Sequence, residues 1–346
     1  MSKIRIGGEP VRQFILANVE RHPNNITKVT SGHFKITRQA VHKHLNKLVD
    51  EGALIGSGGT RDRRYKLAPL FEWDQVYDLA SKPTEDAVWR NDIAPRLGKL
   101  PENVLDVWHY GFTEMFNNVI DHSGSASVFI KLTKTATMTE MAIHDAGVGI
   151  FKKIQAALGL LDERHAILEL AKGKFTTDPR NHSGEGIFFT SRLFDAFQIL
   201  SGGVYFSHKF AAPEDWIMEQ ESPTKGTAVW MRISNHTARS VRKVFAKFTA
   251  GDENVFNKTL VPVRMAQYGD DKLVSRSQAK RMLVRVERFK VVIFDFTGVD
   301  SIGQAFADEV FRVFARQHPD IELTAVKANA GVRQMIDRAK GADSET

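Results

Sequence analysis

Cysteine is absent from the 346 residues. That excludes a disulfide framework, a thiolate metal site and a cysteine nucleophile, and it fits a reducing, cytoplasmic setting. No stretch reaches the roughly 18 consecutive apolar residues of a membrane span, and the N-terminus lacks the apolar core of a secretory signal, so no membrane partner is expected. Internal repeats are missing as well, and low complexity is confined to a short polar tail after Lys340. What remains is ordinary globular composition, 42% hydrophobic and 26% charged, in a chain long enough for two or three domains with their own cores.

The charge that is present is unevenly spread. Residues 1–70 hold 13 Lys+Arg against 5 Asp+Glu, a net +8, while the whole chain carries +7, so the remaining residues sum to about −1. A compact basic module on a near-neutral body points to a nucleic-acid contact through phosphates.

Periodicity divides the chain into four parts. Residues 1–70 read as helices over Val11–Val19 and Thr37–Glu51, then a strand at Tyr65–Leu67 after the turn Gly56-Ser57-Gly58-Gly59. Residues 71–84, with Trp73, Tyr77 and Leu79, read as a linker helix. Residues 85–235 mix helices with strands at Ala126–Thr133, Met138–His144, Val204–Ser207, Trp216–Glu219 and Ala228–Ile233. Residues 236–346 read as a small α/β unit: strand Val291–Phe296, helix Gln304–Arg316, strand Ile321–Val326 and helix Val332–Ala339. The expected class is multidomain α/β (α+β).

In the first part, Thr37 is placed to cap a helix whose buried stripe is Val41, Leu45 and Leu48. Arg38, Gln39, His42, Lys43 and Asn46 face away from that stripe. The string from Thr37 to Ile55, followed by the basic tip Arg61, Arg63, Arg64, resembles the recognition helix and wing of winged helix-turn-helix domains. The resemblance implies duplex DNA as partner for residues 1–70, with Arg38 and Gln39 at base edges, His42 and Lys43 beside them, and Arg61, Arg63 and Arg64 on the backbone. A solvated basic helix in a protein-binding module is the other reading of the same residues.

The middle part contains Glu-Met-Phe-Asn-Asn-Val-Ile-Asp-His at 114–122. Glu114, Asn118 and His122 are spaced i, i+4, i+8, and Asn117 with Asp121 forms a second pair beside them. Phe112, Met115, Phe116, Val119 and Ile120 occupy the rest of the helix. Burying a carboxylate and amides unpaired costs about 2–7 kcal/mol for an amide alone, so this stripe is expected to face a polar, charged occupant. Three further fragments follow in order: Asp145-Ala146-Gly147-Val148-Gly149, Gly184-Glu185-Gly186 before a helix, and Lys225-Gly226-Thr227 before a strand. The ordered set resembles the GHKL ATPase superfamily, with its Bergerat fold, over about 100–235.

That resemblance implies ATP and Mg²⁺ as cofactors. Asp145 would accept from the adenine amino group, Gly147 and Gly149 would pass close to purine and sugar, and Gly184 and Gly186 would present N–H groups to phosphate. Asn118 would hold Mg²⁺ through its amide oxygen, Glu114 would act as general base, and Thr227 would lie near Asp145. Residues 151–183 would form a lid, with Lys172, Lys174, Arg180 and His182 as candidate phosphate contacts.

In the last part, Asp295-Phe296-Thr297-Gly298-Val299-Asp300-Ser301-Ile302-Gly303 follows a buried strand and opens a helix. Over about 255–340 it resembles the STAS fold of anti-sigma-factor antagonists, in a STAS-like variant, and implies a protein partner. Ser301 after Asp300 occupies the place of the antagonists' phosphoacceptor, although the loop is shorter here and the pattern reads D-S-I-G. The alternative is that Asp300 and Ser301 only cap the helix.

Together these features lead to a bacterial ATP-binding regulator, a nucleotide-controlled DNA-binding transcriptional regulator with a STAS-like relay. Two enzyme readings compete with it. In one the chain is an anti-sigma-factor-like serine protein kinase acting on a STAS-type Ser. In the other it is a slow ATPase that closes as a homodimer on DNA.

Overall fold

The computed structural model describes residues 8–59, 62–175, 184–210, 212, 216–249, 255–267 and 272–341. Three helices, α1 (Gly8–Asn18), α2 (Ile26–Phe34) and α3 (Arg38–Asp50), precede an antiparallel hairpin of β1 (Leu54–Ser57) and β2 (Arg64–Leu67). At the start of α3, Thr37 is extended and its hydroxyl accepts the Ala40 N–H at 3.2 Å, satisfying one of the donors that a first helical turn leaves open. Val41, Leu45 and Leu48 face one core together with Val11, Ile15, Ile26 and Tyr65. In β2 the inward Tyr65 and Leu67 alternate with outward Arg64 and Lys66, and that alternation fixes the register Leu54↔Leu67 to Ser57↔Arg64.

Residues 71–84 are not a linker helix. They form strand β3 (Phe71–Asp78) and a single 3-10 turn at Leu79–Ser81. Phe71, Trp73 and Tyr77 fall on a period of two rather than 3.6, and aromatic side chains favour a pleated, half-buried surface. Tyr77 meets Phe116 edge-on at 6.2 Å and donates its hydroxyl to Asp92 at 2.8 Å.

β3 is the edge of a five-stranded sheet of order β3-β4-β5-β7-β6, with β4 (Ser127–Lys134), β5 (Met138–Asp145), β6 (Ala196–Lys209) and β7 (Trp216–Ser234). The three separate strands expected over 204–233 are stretches of β6 and β7. These pair antiparallel throughout, with register shifts at Ser201 and Gly202. The helices between and after these strands are α4 (Glu85–Val88), α5 (Ala94–Leu97), α6 (Glu102–His122), α7 (Ile150–Leu158), α8 (Glu163–Lys172), α9 (Gly186–Leu193) and α10 (Val241–Phe245). α6 buries Val104, Trp108, Phe112, Met115, Phe116 and Val119 on one face, so its polar stripe is left on the other.

The C-terminal part is a three-stranded parallel sheet, order β10-β9-β8, made of β8 (Lys258–Pro262), β9 (Val291–Asp295) and β10 (Glu322–Val326). Its helices are α11 (Arg276–Leu283), α12 (Gln304–Asp308) continuing through a π-helical turn at Glu309–Phe314 into α13 (Ala315–Gln317), and α14 (Ala330–Gly341). β8 and α11 add to the elements expected from the sequence. Such parallel strands with helical crossovers make the α/β half of the α+β chain.

Two compact units result. One is Met1–Gln75 with Lys131–Met141 and Ile233–His236; the other is Val76–Ile130 with Ala142–Arg232 and Thr237–Thr346. Helices α6 to α9 and the C-terminal parallel sheet therefore belong to a single unit.

Candidate functional site

Within that second unit lies a cavity of about 360 Å³. Its lining is drawn from every fragment of the ordered motif set: Glu114 and Asn118 on α6, Asp145 at the end of β5, Gly149, Gly184 and Gly186, and Thr227 on β7. Met115, Val119, Ile143, Ile154, Ile199 and Val229 supply apolar wall. Residues more than 100 positions apart thus converge on one concave surface that is mainly apolar with a few placed polar groups, the usual form of a small-molecule site.

The polar stripe of α6 divides between two surfaces. Glu114, Asn117, Asn118 and His122 line the cavity, whereas exposed Asp121 lines a second cleft with Asp78, Lys82 and Glu85, which Asn117 also borders. Glu114 sits where α9 begins: a Cβ on Gly186 would lie 2.0 Å from its Oε2. Glu185, the residue before α9, makes no side-chain cap, so the first N–H groups of this helix have no side-chain acceptor in the cap itself. Burial, with the carboxylates of Glu114 and Glu185 adding to it, pushes the Tyr110 hydroxyl far above its ordinary pKa. Burial also raises Glu185 itself, with Lys174 acting against it. Glu185 sits inside the quoted Gly184-Glu185-Gly186 fragment without a role assigned to it, and Tyr110 lies outside the motif set. Tyr110 stands four residues before Glu114 on the same helical face, which is the signal that points to it.

Asp145 is 4% exposed, and its Oδ1 accepts the Gly147 N–H at 2.8 Å. Burial raises its pKa; the N–H groups of Gly147 and Thr227 act in the opposite direction without cancelling it. Thr227 does lie beside Asp145, but inside β7 rather than ahead of a strand. Its hydroxyl accepts the Ile150 N–H at 3.0 Å and lies 3.4 Å from the Ser201 hydroxyl. Gly147 does not line the cavity. A Cβ there would fall 2.0 Å from the Ser123 carbonyl oxygen, so the glycine is demanded by a crossing of two protein backbones. Lys153, also outside the motif set, lines the cavity and donates to the His122 carbonyl at 2.9 Å, and burial lowers its pKa.

The donor set fits a nucleotide polyphosphate. It offers an apolar slot, a buried acceptor at Asp145, a helix start flanked by Gly184 and Gly186, and the amide of Asn118. Among the described residues no three His, Cys, Asp or Glu side chains cluster as a metal site. The cavity-lining residue whose amide oxygen could serve a hard cation is Asn118.

Two expectations about the lid and loops change, those for Lys172 and for the Asp300-Ser301 cap. Lys172 is not a phosphate contact: it is fully buried and donates to Glu169 at 2.5 Å and to the Val284 carbonyl at 2.8 Å. Lys174 donates to the Arg288 carbonyl at 3.1 Å. Arg180 and His182 lie outside the described residues, as does Arg61 of the basic tip. Asp300 and Ser301 do not cap α12; Gly303 is the cap residue, and exposed Ser301 lies in the preceding loop and does not line the cavity.

In the first unit, Arg38, Gln39, His42 and Lys43 are all exposed along α3, and Arg63 and Arg64 are exposed at the hairpin. The Arg63 guanidinium lies 5.8 Å from the Tyr65 ring centroid.

Comparison with known families finds a match in the C-terminal part. Residues 278–333 fit the STAS-like domain of unknown function (DUF4325), which covers α11 through the start of α14. The C-terminal module is therefore STAS-like. No curated protein matches the chain.

Proposed function

We propose that this chain is an ATP-controlled DNA-binding regulator, in which a GHKL-type site binds Mg-ATP, a winged helix-turn-helix binds duplex DNA, and the STAS-like module relays nucleotide state or recruits a protein partner. The observation that carries the nucleotide reading is the cavity itself, since Glu114, Asn118, Asp145, Gly149, Gly184, Gly186 and Thr227 come from four separated stretches yet share one lining. Adenine would be held by Asp145 in the apolar slot, and phosphates by the α9 start. Asn118 would hold Mg²⁺, which when bound neutralises phosphate charge. Glu114, at the α9 end, is the candidate base for water or a hydroxyl.

The DNA reading rests on the +8 of residues 1–70 and on the exposed row Arg38, Gln39, His42 and Lys43. A switch of this kind requires ATP to bind two arrangements of the protein with different affinity. Ser301 is exposed, so a serine-kinase role is compatible with transfer to a STAS-type Ser on another chain.

The deciding experiment incubates the full chain with Mg-[γ-³²P]ATP and maps the label, alongside calorimetric ATP binding. Binding without turnover supports a sensor, free phosphate supports an ATPase, and phosphoserine at Ser301 supports a kinase. Absence of any ATP binding rejects the nucleotide reading.

A further inference from the structure

The cavity wall formed by Leu170, Phe175 and Gly184 is held by the STAS-like module. α8 ends at Lys172, and the carbonyls there and just beyond need donors, because a helix C-terminus leaves its last C=O groups unpaired. The donors to Lys172, Gly173 and Lys174 all come from across the module boundary. The Thr259 hydroxyl donates to the Lys172 carbonyl at 2.6 Å. Arg285 donates to the Gly173 carbonyl at 3.3 Å and also to the Lys174 carbonyl. Arg288 adds a second bond to Lys174 at 3.2 Å, and Lys174 returns one to the Arg288 carbonyl.

Behind this contact lies a buried ionic triad. Glu169, 2% exposed, binds Lys172 through Oε1 and Arg285 through Oε2 at 3.2 Å. The Arg285 guanidinium then lies 4.9 Å from the ring centroid of Phe175, which lines the cavity and donates its N–H to the Gly184 carbonyl at 3.0 Å. Arg285 itself has φ +62, a left-handed conformation uncommon for a side chain of its size, held here by the surrounding bonds.

We propose that Arg285 is a positioning residue for the nucleotide site: by fixing the Gly173-Lys174 backbone and the Phe175 ring, it makes the STAS-like module part of the cavity wall and couples nucleotide occupancy to the state of the 284–289 segment. The inference rests on the nucleotide reading above. Coupling is reciprocal, so whatever displaces Arg285 weakens nucleotide binding, and nucleotide opposes that displacement by the same factor. Arginine is required because its planar fork serves Glu169 and two carbonyls at once, which a lysine ammonium on a single stem does not reproduce.

The test uses the full chain with Mg-ATP. In wild type, ATP should slow amide hydrogen exchange at both 169–175 and 284–289; exchange unchanged at 284–289 overturns the proposal without any mutation. Arg285→Met leaves the self-neutral Glu169–Lys172 pair buried, and Arg285→Lys keeps the charge. Each should weaken ATP binding by at least about fivefold, abolish the ATP-dependent slowing at 169–175, and leave protection of β4 and β5 intact. Wild-type affinity in both variants overturns the role of Arg285 while leaving the nucleotide site standing. If Asp145→Asn also binds ATP like wild type, the nucleotide reading itself has failed, and the inference falls with it.

Discussion

Asp145→Asn separates binding chemistry from fold. The carboxylate is almost fully buried, and burial raises its pKa more than the Gly147 and Thr227 N–H groups lower it. A carboxyl whose folded pKa lies above its unfolded value contributes stability below the unfolded pKa and loses it as pH rises through the folded one. At neutral pH the ionised Asp145 therefore costs the ligand-free protein stability, and the neutral amide removes that cost while keeping an oxygen for Gly147. The variant should melt no lower than wild type without nucleotide. Binding should move the other way. A hydrogen bond to a charged acceptor contributes about 1.5–3 kcal/mol, so ATP affinity should fall by about 10- to 100-fold. Calorimetric titration with Mg-ATP, paired with thermal unfolding, measures both. Wild-type ATP affinity should also decline on acidification at a pH above the usual aspartate range, a step absent from the variant. Unchanged affinity refutes the placement of adenine at Asp145. Lost affinity accompanied by lost stability refutes the argument that the carboxylate is a net cost to the fold.

Glu114→Gln preserves shape and should bind Mg-ATP nearly as wild type, while any hydrolysis or transfer falls by about 10²–10⁴; full turnover in the variant removes Glu114 as base. Arg63→Ala with Arg64→Ala should flatten the dependence of log K on log salt for duplex DNA, by about 1 for each phosphate that the variant no longer neutralises. An unchanged slope places the DNA interface elsewhere. Glu169→Gln strips the triad of its carboxylate, leaves Lys172 and Arg285 buried together, and should cost about 3–5 kcal/mol. Lys172 is already lowered by burial, so the folded state then holds fewer protons than the unfolded one, and stability should rise with pH toward the unfolded lysine value by up to about 1.4 kcal/mol per pH unit. A pH-independent denaturation midpoint contradicts this.

Legibility in the sequence follows the distance over which each feature is encoded. The α6 stripe, the Thr37 cap and the Val41-Leu45-Leu48 face are readable because helical period and capping act within one or two turns. β9 and β10 are readable from short apolar runs, and residues 278–333 match a STAS-like family. β3 departs from the expected helix because its three aromatics, set among acidic residues, alternate as a strand requires. α8 is opaque for a different reason. Its sequence carries Glu169 and Lys172 as if for solvent, and their burial depends on Arg285 more than 100 residues later. No local pattern signals that a charged pair will be matched by a distant third member.

The glycines illustrate the same limit from the ligand side. In sequence, Gly147 and Gly186 read alike, as residues that admit a nucleotide. Their surroundings differ. At Gly147 a Cβ would meet the Ser123 carbonyl, which already accepts the Val148 N–H at 2.9 Å, so two backbones must part. At Gly186 the obstacle is the Glu114 carboxylate, the end of a flexible side chain. Gly147→Ala should therefore cost about 1–3 kcal/mol of stability, as overpacking typically does, in the absence of any ligand. Gly186→Ala should leave the melting midpoint nearly unchanged and act on turnover by turning Glu114 aside. Thermal unfolding of the two variants without nucleotide decides between this account and one in which both glycines serve only the ligand. Equal melting points would show that the rim of the cavity is not built by the backbone crossing at Gly147.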